Sequence, residues 1–221
     1  MVLRDELRLK LLEVKNEEEY RLVLSSDPTI PYAPWFYTWI EAGELAAFAW
    51  PQTTGNLTYL WNDGIRHIIT LSAEKIPDLK DTAFEWTYIP VPECHAPTIE
   101  DIFKFIRTIQ WCKKRGLPVG VHCRMGLGRT GVMVAVYLMY FHGMSATQAL
   151  RNLRYLRPGS VDSEEQERCI LEYRPNANHA NDQRIQKITR KGDHLLALLR
   201  GENRTGTLGP PRLWDIANKF N

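Results

Sequence analysis

Hydrophobic positions along the chain change their spacing several times, and each pattern predicts an element of secondary structure. A short apolar, β-branched run at residues 118–121 predicts a buried strand. A second apolar run, at residues 131–141, is long enough for a buried helix. Polar residues and glycines separate the two runs. The pattern therefore predicts a strand, a tight loop and a helix, in that order.

Helical spacing also follows Thr98, where a threonine and Asp101 three residues later resemble a capping box. The apolar positions of this helix are Ile99, Ile102, Phe103, Ile106 and Ile109. We expect the helix to end at Gly116. Two more helix starts are predicted by a serine with a glutamine three residues later, Ser145 with Gln148 and Ser163 with Gln166.

The pattern divides the chain into three parts. Residues 1–30 are predicted to be an N-terminal extension, residues 31–174 one domain, and residues 175–221 a C-terminal helix and tail. In the last part, apolar residues keep helical spacing between residues 185 and 199, and a polar stretch with glycine and proline follows.

Composition adds little to this picture. A chain of 221 residues that is 44% hydrophobic and 24% charged is long enough for one sizeable core. The formal charge of +2 gives no reason to expect nucleic acid as a required partner, and no apolar run is long enough for membrane insertion. The four cysteines lack the spacing of a metal site or a disulfide framework, so we expect neither in this chain.

The loop between the strand and the helix carries the most specific chemistry. It reads His-Cys-Arg-Met-Gly-Leu-Gly-Arg-Thr-Gly from His122 to Gly131. A loop at that place directs its backbone N–H groups and the positive end of the helix dipole into one anion-binding concavity. We expect Cys123 to be largely a nucleophilic thiolate there at neutral pH. Arg129 supplies a planar fork that can hold two phosphoryl oxygens at once.

Three residues of this loop each have two alternative roles. Thr130 either donates its hydroxyl to the cysteine sulfur or is an ordinary polar residue of the first helical turn. Arg124 either contacts an anionic substrate or is solvated, and the alternative for Cys123 is a buried, inert thiol. The glycines at positions 126, 128 and 131 are predicted to allow positive backbone angles and close approach to phosphate. The predicted phosphate-binding residues are Arg124, Met125, Gly126, Leu127, Gly128 and Arg129.

The run of His122-Cys123, five further residues and then Arg129-Thr130-Gly131 resembles the signature of the dual-specificity branch of the protein tyrosine phosphatases. From residue 34 to residue 173 the chain is similar to the small atypical dual-specificity phosphatases, and its Gly-Leu-Gly-Arg-Thr-Gly ending is also similar to the Cdc-fourteen group. The resemblance implies an α/β fold with a central, largely parallel sheet flanked by helices. It also implies cofactor-independent hydrolysis of phosphotyrosine and phosphoserine or phosphothreonine in phosphorylated proteins, through a phosphocysteine intermediate.

The resemblance assigns roles to three residues besides Cys123 and Arg129. Family members carry an aspartate about thirty residues before the cysteine as general acid, and this chain has Glu93 there. Glu93 is thereby implied to protonate the leaving oxygen, and the alternative is a solvated loop carboxylate. Gln166 stands where the family has a glutamine that positions water, although it also fits the predicted helix start. His122 is implied to support the ionisation of the cysteine, or is a satisfied core histidine.

The sequence alone leaves several classes of phosphorylated substrate as alternatives. Related loops occur in phosphoinositide phosphatases and RNA 5'-phosphatases, and a phosphate-binding protein impaired by its altered acid loop is a further alternative. A chain this short leaves no room for the recognition loops of the larger tyrosine-specific enzymes, which favours a shallow pocket that accepts both phosphotyrosine and phosphoserine or phosphothreonine. A nucleophilic thiolate needs a reducing compartment, so we expect the cytoplasm or the nucleus.

Overall fold

A computed structural model describes residues 30–175, together with Val23 and Asp27. The chain divides into two compact units, residues 1–173 and 174–221, and only the first two residues of the second are described. The predicted C-terminal helix and tail and nearly all of the predicted N-terminal extension therefore lie outside the described residues. The proposed domain boundaries remain predictions.

Five strands and five helices form the described fold. The strands are β1 (Thr38–Glu41), β2 (Leu45–Ala49), β3 (His67–Ser72), β4 (Glu85–Val91) and β5 (Val119–Cys123). The helices are α1 (Thr54–Asn62), α2 (Ile99–Arg115), α3 (Gly128–His142), α4 (Ala146–Leu156) and α5 (Glu164–Glu172). None of the helices described here has the length and apolar character that a membrane span requires.

The strands form one sheet in the order β1-β2-β5-β3-β4. Only β1 and β2 pair antiparallel, and the other neighbours are parallel. This confirms the predicted α/β fold with a largely parallel central sheet. Strand β5 lies in the middle, so the loop after it opens at the carboxyl edge of the sheet, where open α/β folds bind ligands.

Helices cover both faces of the sheet, as the alternating side chains of strand β2 illustrate. Leu45 and Ala47 of β2 pack in the larger core with residues of α2, α3, α4 and α5. Ala46 and Phe48 face the smaller core beneath α1. All five residues of β2 are therefore buried, as is typical of parallel strands between two helical layers.

The helix ends agree with the capping patterns. Thr98 and Asp101 form a reciprocal capping box at the start of α2, which closes at Gly116 with φ of 64°. Ser145 and Gln148 form a second box before α4, and Ser163 accepts a hydrogen bond from the backbone of Gln166 at the start of α5. Helix α3 begins three residues before the predicted start, because the end of the glycine-rich loop is its first turn.

Candidate active site

The loop between β5 and α3 forms a cradle around a buried thiol. Cys123 ends β5 and is 2% exposed, and the backbone N–H of Gly126 donates a hydrogen bond to its Sγ at 3.2 Å. Gly126 has φ of 72°, and a Cβ there would lie 2.4 Å from the carbonyl oxygen of Phe48. Only glycine fits this turn, since another residue would meet both strained backbone and a clash with β2. The cradle therefore directs the backbone amide of Gly126 toward the sulfur, near the N-terminus of α3.

Arg129 is fixed by two partners before any substrate is present. Its Nη1 and Nη2 donate to the two carboxylate oxygens of Glu74 at 2.9 and 2.6 Å, and Nη1 also donates to the carbonyl oxygen of Val91 at 2.9 Å. The hydrogen bond from Arg129 lowers the pKa of the Glu74 carboxyl below its usual value. These bonds use three of the five N–H donors of a guanidinium. Two donors remain for a phosphoryl group.

The loop at residues 92–97, called here the acid loop, brings Glu93 to the rim of this cradle. Glu93 is exposed, and its Oε1 accepts a hydrogen bond from Nη1 of Arg124 at 2.9 Å. Arg124 directly follows Cys123 in the chain. Thus Arg124 contacts a carboxylate in this structure. Both side chains are about half exposed, so this ion pair orients Glu93 more than it stabilises the fold.

The first turn of α5 is hydrogen-bonded to the acid loop. Glu165 accepts a hydrogen bond from the backbone N–H of Ala96 at 3.0 Å. Gln166 donates through Nε2 to the carbonyl oxygen of His95 at 3.3 Å. Two consecutive acid-loop residues are thereby tied to the first turn of α5, which sets the position of the loop relative to the cradle.

Gln166 lies beside the phosphate cradle, as its predicted role requires. It is 1% exposed, and its Oε1 accepts a hydrogen bond from the backbone of Asp162 at 3.3 Å. A Cβ on Gly128 would lie 2.9 Å from that oxygen and 2.4 Å from Oδ1 of Asp162. Gly128 and Gly131 do not have the positive φ that we predicted for them. Gly128 instead allows a close approach between the cradle and the segment before α5.

Thr130 does not make the predicted bond to the sulfur. Its Oγ1 is buried and has no hydrogen-bond partner within residues 30–175. The hydroxyl is therefore an unused donor in the first turn of α3, one residue after Arg129. Its role in releasing the sulfur remains a prediction.

His122 belongs to a buried chain of hydrogen bonds that reaches the surface. Nδ1 of His122 lies 3.2 Å from the carbonyl oxygen of Cys123, and Nε2 lies 2.9 Å from Oγ1 of Thr70. Oγ1 of Thr70 in turn accepts a hydrogen bond from Nε1 of Trp86 at 2.9 Å. His122 and Thr70 are fully buried, whereas Trp86 is 45% exposed.

The donors in this chain can be assigned from their chemistry. Burial lowers the pKa of His122 to about 4, so the ring is neutral at pH 7 and carries one proton. A carbonyl oxygen only accepts, so Nδ1 holds that proton. Nε2 must then accept from the hydroxyl of Thr70, whose oxygen receives the indole N–H of Trp86. The hydrogen bonds therefore select one tautomer of His122 next to Cys123.

Replacing Trp86 with phenylalanine is expected to leave the tautomer of His122 unchanged. The carbonyl oxygen of Cys123 still requires the proton on Nδ1, and the hydroxyl of Thr70 can still donate to Nε2. We expect kcat/KM to fall less than about fivefold, since the variant loses one neutral hydrogen bond, worth about 1 kcal/mol. Nitrogen-15 chemical shifts of His122 report the tautomer directly. The control is Tyr88→Phe, which keeps the ring that stacks on Trp86, and a shift of the proton to Nε2 in Trp86→Phe would contradict the assignment.

Burial of neutral His122 predicts a loss of stability in mild acid. An unfolded histidine binds its proton near pH 6.5, and the folded chain does so only near pH 4. Between these values the unfolded state holds more protons, so the free energy of unfolding falls as the pH falls, by about 3 kcal/mol in total from this group. Urea denaturation at pH 7, 5.5 and 4.5 measures the trend. His122→Asn should show a shallower dependence over this range, and an identical slope would contradict the prediction.

Arg157 supports the cradle from behind, a role that the sequence did not indicate. It is 3% exposed, and it donates to the carbonyl oxygens of Gly126 at 2.7 Å and Ala47 at 3.0 Å. Burial lowers the pKa of Arg157 to about 10, so it remains charged at neutral pH. Arg157 therefore joins the cradle to strand β2 and adds positive charge beneath it.

Glu74 is the other residue near the cradle that sequence reasoning missed. A signal existed, since Glu74 comes two residues after β3, and the carboxyl ends of parallel strands meet at one edge of the sheet.

No group of three or more histidine, cysteine, aspartate or glutamate residues within residues 30–175 is arranged to hold a metal ion.

The described domain is similar to known proteins in sequence and in structure. Residues 34–170 match the family described as PTP-SAK, a Swiss Army Knife protein with a DSP-PTPase phosphatase domain. The mouse dual specificity protein phosphatase CDC14B is 25% identical over 182 residues, covering 75% of this chain and 34% of its own. The Saccharomyces cerevisiae tyrosine-protein phosphatase CDC14 is 27% identical over 135 residues, covering 60% of this chain and 23% of its own.

A solved structure extends the likeness to three dimensions. The crystal structure of Tk-PTP in its active form superposes with a TM-score of 0.56 and 28% identity, covering 62% of this chain and 95% of that one. The chain spans about a third or less of the two CDC14 relatives. The matched residues contain the cradle, Arg129, the acid loop and most of α5, and on this match the chain belongs to the PTP-SAK family of DSP-PTPase phosphatase domains.

Proposed function

We propose that this chain hydrolyses phosphotyrosine and phosphoserine or phosphothreonine in proteins, through a phosphate ester of Cys123. One observation carries the proposal: the buried thiol and the fixed fork of Arg129 belong to the same loop, with free guanidinium donors and a backbone amide in the cradle. The names of the CDC14 relatives, a tyrosine-protein phosphatase and a dual specificity protein phosphatase, support this substrate class.

In the first step the thiolate of Cys123 attacks phosphorus. A sulfur–phosphorus bond forms as the bond from phosphorus to the substrate oxygen breaks, and Glu93 gives its proton to that leaving oxygen. Arg129 and the loop amides hold the remaining phosphoryl oxygens as their charge shifts. The dianionic phosphate also offers Arg124 an alternative partner, which releases Glu93 from its ion pair so that the carboxylate takes up from water the proton that it then donates.

In the second step water replaces the sulfur on phosphorus. The oxygen–phosphorus bond forms as the sulfur–phosphorus bond breaks, which yields phosphate and free Cys123 thiolate. Glu93, now a carboxylate, accepts a proton from the water. Gln166 positions that water beside Gly128, and the unused hydroxyl of Thr130 turns to donate to the departing sulfur. No cofactor takes part in either step.

Glu93→Gln is expected to separate substrates by their leaving groups. An alkoxide leaving group from phosphoserine or phosphothreonine needs the proton, so its kcat/KM should fall about 100-fold or more. A nitrophenolate leaves without help, and its rate should change less than about threefold. Glu100→Gln is the matched control, because Glu100 is an exposed carboxylate in the first turn of α2. Equal losses for both leaving groups would show that Glu93 is not the general acid.

The proposed substrate class is tested by phosphate release without added metal. Wild type and Cys123→Ser are given phosphotyrosine and phosphothreonine peptides, a phosphoinositide and an RNA 5'-triphosphate. We expect cysteine-dependent release that is fastest from the peptides. Faster release from the lipid or the RNA would replace the proposed substrate, and no release from any of the four would indicate a phosphate-binding protein.

Within the superfamily we propose that the chain is an atypical dual-specificity phosphatase most similar to dual-specificity phosphatase twenty-three. The support is the combination of its signature loop and its Arg157-Pro158-Gly159-Ser160 segment. A catalytic thiolate also favours a reducing compartment, so we propose the cytoplasm or the nucleus as the place of action.

A further inference from the structure

A cavity of about 750 Å³ lies between α1 and the segment 78–84, outside the loop that carries Cys123. Its apolar lining includes Leu57, Trp61 and Phe84, and the rings of Trp61 and Phe84 meet edge to face at 5.4 Å. The hydroxyl side chains of Thr54 and Thr58 lie along the same helix. None of these residues takes part in the proposed chemistry. We call this cavity the α1 groove.

One wall of the α1 groove begins next to a residue that contacts the phosphate cradle. Trp50 donates its backbone N–H to the carbonyl oxygen of Arg124 at 3.1 Å, and the lining starts at the next residue, Pro51. The lining of the other wall begins at Asp78, four residues after Glu74, which holds Arg129. Between Glu74 and Asp78, the ammonium group of Lys75 lies 4.7 Å from the centre of the Trp50 ring. The groove therefore adjoins the cradle at its Pro51 end.

The dimensions of the groove suit a short stretch of extended peptide. Thr54 and Trp61 are seven residues apart on α1, which corresponds to about 10 Å of helix. An extended chain covers that length in about three residues. The rim carries Asp78, Asp81 and Lys80, which is a mixture of charges, whereas the interior is apolar. The lining therefore favours an apolar side chain over a charged one.

We propose that the α1 groove binds an apolar side chain of the phosphorylated substrate, within about three residues of the phosphorylated position. This inference rests on the proposed protein-phosphatase function and adds a substrate preference to it. The groove selects peptides in which a large aliphatic or aromatic residue lies near the phosphate. Its contribution is absent for a small aryl phosphate, which fills only the cradle.

The test uses a series of phosphothreonine peptides with a polar background. Each peptide carries one leucine at a position from three residues before to three residues after the phosphothreonine, and an all-polar peptide is the reference. With the full chain we expect at least one position to raise kcat/KM about tenfold, since burying a leucine side chain has an effect of that size. The same protein is assayed with p-nitrophenyl phosphate.

Groove-filling variants identify where the preference arises. Thr58→Trp and Thr54→Trp start from exposed positions and place a ring in the groove. We expect each to remove the leucine preference and to change p-nitrophenyl phosphate hydrolysis less than twofold, which also shows that the variant is folded. The matched control, Thr147→Trp, changes an exposed threonine on α4 and should keep the preference.

The outcomes separate this inference from the function on which it rests. Equal rates across the peptide series, or a preference that survives both groove-filling variants, overturn the inference and leave the protein-phosphatase function standing. Hydrolysis of p-nitrophenyl phosphate with no hydrolysis of any peptide overturns the protein-phosphatase function, and the inference with it.

Discussion

Cys123→Ser is expected to lower kcat by at least about 10⁴-fold and to leave the binding of a phosphate analogue measurable. A serine hydroxyl keeps its proton at neutral pH, so the variant has no charged nucleophile in the cradle. The groups that bind the anion are unchanged, because the backbone N–H of Gly126 and the side chain of Arg129 remain. Turnover of p-nitrophenyl phosphate and calorimetric titration with tungstate measure the two properties separately.

The control for this variant is Cys169→Ser. Cys169 is half-buried on α5, and its Sγ donates a weak hydrogen bond to the carbonyl oxygen of Pro97 at 3.6 Å. We expect its kcat within about twofold of wild type. Equal losses in the two variants would point to a general effect on folding. Turnover by Cys123→Ser near the wild-type rate would remove Cys123 from the mechanism.

Arg129→Lys is expected to lower kcat about 10³-fold. Lysine keeps the positive charge but cannot bind Glu74 through two nitrogens and still present two donors to a phosphoryl group. Loss of one oriented donor in a transition-state site typically lowers kcat by 10² to 10³, and this change removes the whole oriented fork. Steady-state kinetics with a phosphotyrosine peptide measures kcat and KM separately.

Arg115→Lys is the matched control for the loss of a guanidinium. Arg115 also pairs with a glutamate, Glu85, at 3.0 Å, but it is exposed at the end of α2 and stacks on Trp111. We expect unchanged kinetics in this variant. A loss of less than tenfold in Arg129→Lys would mean that charge alone is sufficient at position 129, and that the paired geometry with Glu74 has no catalytic purpose.

The parts of the fold that the sequence predicted are those with a local signal. Strand β5, the following loop and α3 lie within 25 consecutive residues, and the strand, loop and helix patterns adjoin one another there. The start of α2 was predicted correctly because the capping box is complete within four residues. The error at the start of α3 has a physical cause. Gly128, Arg129 and Thr130 are polar or small, so an apolar pattern cannot include them in the helix.

Whether a site residue could be predicted depended on how far its hydrogen-bond partner lies along the chain. The cradle is one continuous segment, so the thiol and the arginine that it brings together could be named from the sequence. Glu74 and Arg129 are 55 residues apart, and Arg157 and Ala47 are 110 residues apart. No periodic pattern relates such positions, because their contact depends on the order of the strands in the sheet.

The hydrogen-bond chain of His122 was equally hard to predict, because its outermost donor is a tryptophan two strands away in the sheet. Trp86 lies on β4 and Thr70 on β3, and only the parallel pairing of these strands brings the indole to the hydroxyl. In the sequence, nothing distinguishes a half-exposed tryptophan of an edge strand from an ordinary surface residue. The structure distinguishes it by one hydrogen bond to a buried hydroxyl.

The most direct test of the central claim is to trap the phosphate on Cys123. Wild type is mixed with a phosphopeptide carrying phosphorus-32, quenched in acid within milliseconds, digested and mapped. The proposed mechanism predicts label on the peptide that contains Cys123, at a level approaching one per chain, with the alkaline stability and iodine sensitivity of a thiophosphate ester. Turnover without label on that peptide, or label on another residue, would contradict the mechanism.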